Sequence, residues 1–131
     1  MNKIIPEIKK YLEKRDDIVL AFVFGSTVNG RLVEESDIDI AMLFAPKPFP
    51  SELLDIITKL STITGREVDI VILNNSSPII RMQVLKNGIV LKKKDNKIYN
   101  EFFVKTMKEY DDLKYIRKEA EENILMGRIY A

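Results

Sequence analysis

The chain has no cysteine and no histidine. The first absence excludes disulfides and thiolate metal sites, and the second removes imidazole as a catalytic base or a zinc ligand. Any metal must be held by oxygen, which favours Mg²⁺, with Mn²⁺ as the alternative. Charge of one sign is also missing: 21 basic residues stand against 20 acidic ones, a net charge of +1. A chain so balanced lacks the basic footprint of a general nucleic-acid binder. Long apolar runs are absent too. The opening MNKIIPEIKK lacks the apolar core of a signal peptide, and nothing approaches the ~20 apolar residues of a membrane span, so a cytoplasmic protein with no membrane association is expected.

What is present is enough for one folded domain: 131 residues, 46% hydrophobic and 31% charged, an ordinary globular balance. The informative stretch runs from Phe24 to Leu43, FGSTVNGRLVEESDIDIAML. An apolar run, Val19–Phe24, leads into Gly25-Ser26, and a second, Ile40–Phe44, follows Asp39. The pattern reads as strand, glycine-rich turn, short helix or loop, strand. Alternation along the second strand places Asp37 and Asp39 on one face with Ala41 and Leu43, and Ile38, Ile40, Met42 and Phe44 on the other. Two carboxylates side by side repel and lose hydration unless a cation sits between them. A Gly-Ser at the end of the preceding strand offers backbone N–H groups and a hydroxyl to phosphate. Together these residues point to metal-assisted phosphoryl or nucleotidyl transfer. The spacing of Gly25 and Gly30 imitates a P-loop, but the Lys and Ser/Thr of that motif are missing. An EF-hand is excluded because no glycine and closing Glu follow the acids at the required offsets.

The run Gly25-Ser26, three residues, Gly30, five residues, Ser36-Asp37-Ile38-Asp39 resembles the signature of the nucleotidyltransferases of the DNA polymerase β superfamily. The short chain, with VDIVILN, PIIRMQVLKNGIVL and its FF…KEYDDLK region, looks like the minimal nucleotidyltransferase branch, partner of HEPN-domain toxins in toxin–antitoxin pairs. The resemblance implies an α/β fold: a small mixed β-sheet with helices packed against one side, a palm-like core and a long C-terminal helical segment. It implies that Gly25 and Ser26 hold the triphosphate and that Asp37 and Asp39 bridge two Mg²⁺ ions. It makes Asp69 the third carboxylate, supplied by the neighbouring strand; four apolar residues follow Asp69, and an unpaired charge in a buried strand is expensive. The implied activity is transfer of AMP from ATP, or of another NMP from its NTP, to a hydroxyl of a HEPN-domain toxin, typically a tyrosine. Two alternatives stand beside it: an aminoglycoside-like small-molecule acceptor bound with a separate helical subunit, and an antitoxin that only masks its partner. Arg31, Ser36 and Arg66 have no assigned role.

Around the motif, Ile4, Ile5, Ile8 and Leu12 form a helical stripe, with Pro6 in an early turn. Ser51 is the expected cap of a helix burying Leu53, Ile56, Ile57 and Leu60, with Gly65 as its stop. Val68–Leu73 reads as a third strand, Ile79–Lys86 as a short helix and Ile89–Leu91 as a further strand. A helical pattern begins near Lys97 and is too long for the domain it belongs to. Residues 1–94 are therefore read as catalytic core and 95–131 as a C-terminal helical segment. The part from Tyr115 onward is expected to fold back after a break near Asp111-Asp112, to project, or to dock on a partner or a second copy.

Overall fold

The computed structural model describes residues 4–25 and 37–130. Within them the order is α1 (Ile4–Glu13), β1 (Ile18–Phe24), β2 (Ile38–Phe44), α2 (Pro50–Thr64), β3 (Val68–Ile72), α3 (Pro78–Asn87), β4 (Ile89–Lys93) and α4 (Asn96–Tyr130), with a 3₁₀ turn at Leu73–Asn75. The strands form one mixed sheet ordered β3-β2-β1-β4, parallel between β2 and β3 and antiparallel elsewhere.

The expected mixed sheet is present, but its helices lie on both faces rather than one. Ile8 and Leu12 of α1 and Ile56 and Leu60 of α2 are buried against Ala21, Val23, Ile38, Ile40 and Met42. On the opposite face Val84 of α3 and Phe102 of α4 close over Leu20, Phe22 and Ala41. The cause is in β1. Its sequence, IVLAFVF, is apolar at every position, and a strand without a polar side must be covered twice. The register slips by one residue between Ile18 and Leu20, a bulge that puts Ile18 on the same side as Ala21 and Val23.

The helix ends follow local chemistry. The start of α2 corrects the expectation that Ser51 is its cap: Phe49 is the N-cap, Pro50 occupies the first helical position, and Glu52 Oε1 accepts the Phe49 N–H at 3.2 Å. Proline fits that position because it has no N–H to leave unpaired. The helix stops at Gly65, left-handed at φ 69°, whose N–H donates to the Ser61 carbonyl. Ser77 caps α3 by accepting the Ile80 N–H at 3.2 Å. Lys92 of β4 reaches under the end of α1, its Nζ donating to the carbonyls of Leu12 at 2.8 Å and Arg15 at 2.5 Å.

α4 is one helix of 35 residues, about 52 Å long at 1.5 Å per residue. No break occurs at Asp111-Asp112, so the fold-back is not what the chain does. Aspartate costs helix stability only modestly, and neither glycine nor proline interrupts the sequence there. Among the described residues no helix, α4 included, is long and apolar enough to cross a membrane.

Candidate active site

The site is built where β1 ends and β2 and β3 begin. Ile38 N–H donates to the Glu67 carbonyl at 2.9 Å, which starts the β2–β3 pairing. From there the register runs Ile38–Val68, Asp39–Asp69, Ile40–Ile70. Since Ile38, Ile40 and Val68 face the α1/α2 core, Asp39 and Asp69 both face the other side. They are level with each other on adjacent strands. On its other flank Asp39 is level with Phe24, the last residue of β1. Asp37 precedes β2 and is exposed, Asp39 is half-buried and Asp69 is exposed.

Gly25 continues from Phe24 with φ 77°, a conformation that glycine adopts freely and other residues do not. A Cβ placed on it would lie 2.6 Å from Asp39 Oδ2. A side chain at Gly25 would thus be strained at this φ and would force the Asp39 carboxylate to shift. Ser26, like Gly30, Arg31 and Ser36, lies outside the described residues.

The electrostatics are unbalanced. Burial, then the charge of Asp69, then that of Asp37 push the Asp39 carboxyl above its ordinary value. Among the described residues none of the three acids is in an ion pair. Nor do any three acidic side chains there already converge as a closed metal cage. Mutually repelling carboxylates without a cation have no reason to converge. The donor set is all oxygen, level across two strands and short of positive charge, which fits a hard divalent cation.

One residue that holds this geometry in place was not singled out by sequence reasoning. Asn74, just beyond β3, accepts the Phe44 N–H at 2.9 Å and donates to the Phe44 carbonyl at 2.8 Å. Its amide replaces a backbone pair and fixes the far ends of β2 and β3, so that Asp39 and Asp69 stay level at the near ends. An Asn-Asn after a strand signals a turn, and nothing local in it announces a partner 30 residues away. A cavity of about 410 Å³ lies on the same face at that far end, lined by Leu43, Leu73, Arg81, Phe102, Lys105 and Glu109 among others. It is separated from the acids by roughly 13 Å of strand. There Arg81 of α3, 8% exposed, pairs with Glu109 of α4 at 2.5 Å.

Residues 6–97 match the polymerase β nucleotidyltransferase family, and the chain belongs to that family. It is a nucleotidyltransferase, of a class whose chemistry depends on divalent metal ions. More particular likenesses cover nearly the whole chain. It is 29% identical over 126 residues to the protein adenylyltransferase MntA of Shewanella oneidensis, spanning 95% of this chain and 86% of that one. A crystal structure of a toxin–antitoxin with AMP-PNP superimposes with a TM-score of 0.77 at 28% identity, covering 92% of this chain and 98% of the other. A MntA–HepT toxin–antitoxin structure gives a TM-score of 0.73 at 25% identity, covering 95% and 99%.

Proposed function

We propose that the chain transfers AMP from ATP to a tyrosine hydroxyl of a HEPN-domain toxin encoded with it, and acts as that toxin's antitoxin. The observation that carries this reading is the acidic row: Asp39 level with Asp69, Asp37 ahead of them, and Gly25 closed against Asp39 Oδ2. The named activity of the Shewanella relative and the AMP-PNP-bound neighbour support the donor and a protein acceptor. Asp37, Asp39 and Asp69 would hold Mg²⁺, two ions in the full reading, with Mn²⁺ as a substitute. When bound, the metal offsets charge on the phosphate oxygens and lowers the pKa of the acceptor hydroxyl. A cytoplasmic setting goes with a nucleoside triphosphate donor.

The protein's own groups supply the rest. Gly25, lacking a side chain, lets the triphosphate approach its backbone, and Ser26 adds a hydroxyl to the same cradle. Asp69 stands on β3, the edge strand, and is the exposed member of the level pair, so it meets the acceptor. The acceptor oxygen bonds to the α-phosphorus, the bond from that phosphorus to the bridging oxygen breaks, and pyrophosphate leaves. The hydroxyl proton goes to Asp69, since the chain has no histidine to take it. A protein that only masked its partner would have no use for like charges set level on adjacent strands, which cost stability.

The test is incubation with the HEPN-domain protein encoded beside it, Mg²⁺ and each nucleoside triphosphate in turn, read by intact mass. AMP adducts on the partner, lost on mutating its tyrosine to Phe, are expected. A partner of unchanged mass with every nucleotide would refute the reading.

A further inference from the structure

The two edges of the sheet are finished differently. β4, at one edge, carries Lys92 and Lys93, and its register against β1 slips by one residue between Ala21 and Phe22. Lysine and a bulge are guards that keep another strand from adding to an edge. β3, at the other edge, has neither: it reads VDIVI and stays in register with β2 from Val68 to Ile72. Its free backbone groups can be named. The Glu67 carbonyl accepts from Ile38, and backbone groups alternate sides along a strand. Glu67, Asp69 and Val71 therefore turn theirs to β2, while Val68, Ile70 and Ile72 turn theirs outward. Among the described residues, the N–H groups of Val68, Ile70 and Ile72 and the carbonyls of Val68 and Ile70 meet no partner. The bare edge is the strand that carries Asp69.

We propose that β3 receives the acceptor segment of the HEPN-domain protein as an added antiparallel strand, with the tyrosine level with Asp69. The inference rests on the transfer reading above. Recognition is through the backbone: the residues on either side of the tyrosine exchange N–H···O bonds with Val68 and Ile70. The tyrosine opposite Asp69 then occupies a narrow pair, its Cα about 4.5 Å from that of Asp69 and both side chains on one face. That face is the one Asp39 shares, so the aromatic hydroxyl extends over the acids. A slip of one residue turns the tyrosine to the α1/α2 side, so the edge also selects which residue is modified. A second copy suits this edge less well. Antiparallel pairing over the whole of β3 centres on Ile70 and sets each Asp69 opposite Val71 of the other copy. The two Asp69 side chains then lie diagonally about 7–8 Å apart on one face, adding like charge to two rows already short of cations.

The first test is hydrogen exchange, read by NMR on the full chain, with and without the purified HEPN-domain protein encoded beside it. Mg²⁺ and the α,β-methylene analogue of ATP are present, so that the acceptor is held but no transfer occurs. The amides of Val68, Ile70 and Ile72 are expected to slow about tenfold or more beyond any change at Asp69 and Val71, which already bond to β2. The second test compares Ile70→Pro with Ile70→Ala. Both lose the same packing, but only proline removes the outward N–H, at a position where β2 does not use it. Transfer measured as kcat/KM for the partner is expected to be about tenfold lower for Ile70→Pro than for Ile70→Ala, at equal Mg-ATP affinity. Should Ile70→Pro fail to fold, the exchange pattern of the wild-type chain decides alone. Equal slowing at all five amides, or none, overturns the proposal. So does slowing at the outward amides in the chain alone that grows with its concentration, which would make the edge a contact between copies. Equal kcat/KM for the two variants overturns the added strand and leaves the transfer reading standing. Selective slowing with a partner whose mass never rises in Mg-ATP would sink the transfer reading and leave the added strand standing.

Discussion

Asp39 is the most constrained side chain of the site. It carries a charge half-buried near two other carboxylates, beside a glycine whose positive φ disfavours any side chain. Such a residue costs stability in the free protein and gains its advantage only when a cation arrives. Asp39→Asn is therefore expected to raise the melting temperature in EDTA and to shrink the further stabilisation given by Mg²⁺ with ATP. Thermal melts with and without metal check both halves. Gly25→Val has the opposite character. The new side chain meets Asp39 Oδ2 and needs an unfavourable positive φ, so a loss of about 1–2 kcal/mol in stability is expected. Mg-ATP binding should all but vanish in calorimetry; normal binding would make the Gly25 turn structural only. The acids were legible because alternation has a period of two and Asp37, Asp39 and Asp69 each stand beside an apolar run. The contact of Gly25 with Asp39 was not, since it joins two strands through a register that no local pattern encodes.

Among the elements, β2 and β3 carry Asp39 and Asp69 and depend on being held level. Asn74 does this at one end with two hydrogen bonds, and the Glu67 carbonyl at the other with one. Asn74→Ala strands the Phe44 N–H and carbonyl, at a cost of about 2 kcal/mol. Transfer should fall more than Mg-ATP binding, because Asp69, the proposed acceptor-side carboxylate, is what loosens relative to Asp39. Equal losses in both would mean that Asn74 serves stability alone. The elements themselves were largely readable: the stripe of α1, the stop at Gly65, the strand at Val68 and the turn before α3 all rest on local signals. Three features were not. The bulge in β1 has no sequence marker. Cover on both faces was written in IVLAFVF, yet is easily missed when a family likeness suggests one-sided packing. Asp111-Asp112 resembles punctuation, but aspartate costs a helix interior only modestly, and no proline stands in α4 to break it.

At the scale of the molecule, a small two-faced sheet presents its acids at one end and sends a single long helix from the other. One face, covered by α1 and α2, is purely core. The opposite face carries Asp39 and Asp69, the Arg81–Glu109 pair and the root of α4. The proposed seat of nucleotidyl transfer is the acidic row of β2 and β3. Intact mass of the HEPN-domain partner after incubation with Mg-ATP and the D37N/D39N double variant tests it most directly. An unmodified partner is expected, from a variant that stays folded and melts at or above the wild-type temperature without metal. A partner carrying the same adducts, at the same rate, as with the wild-type chain would contradict it.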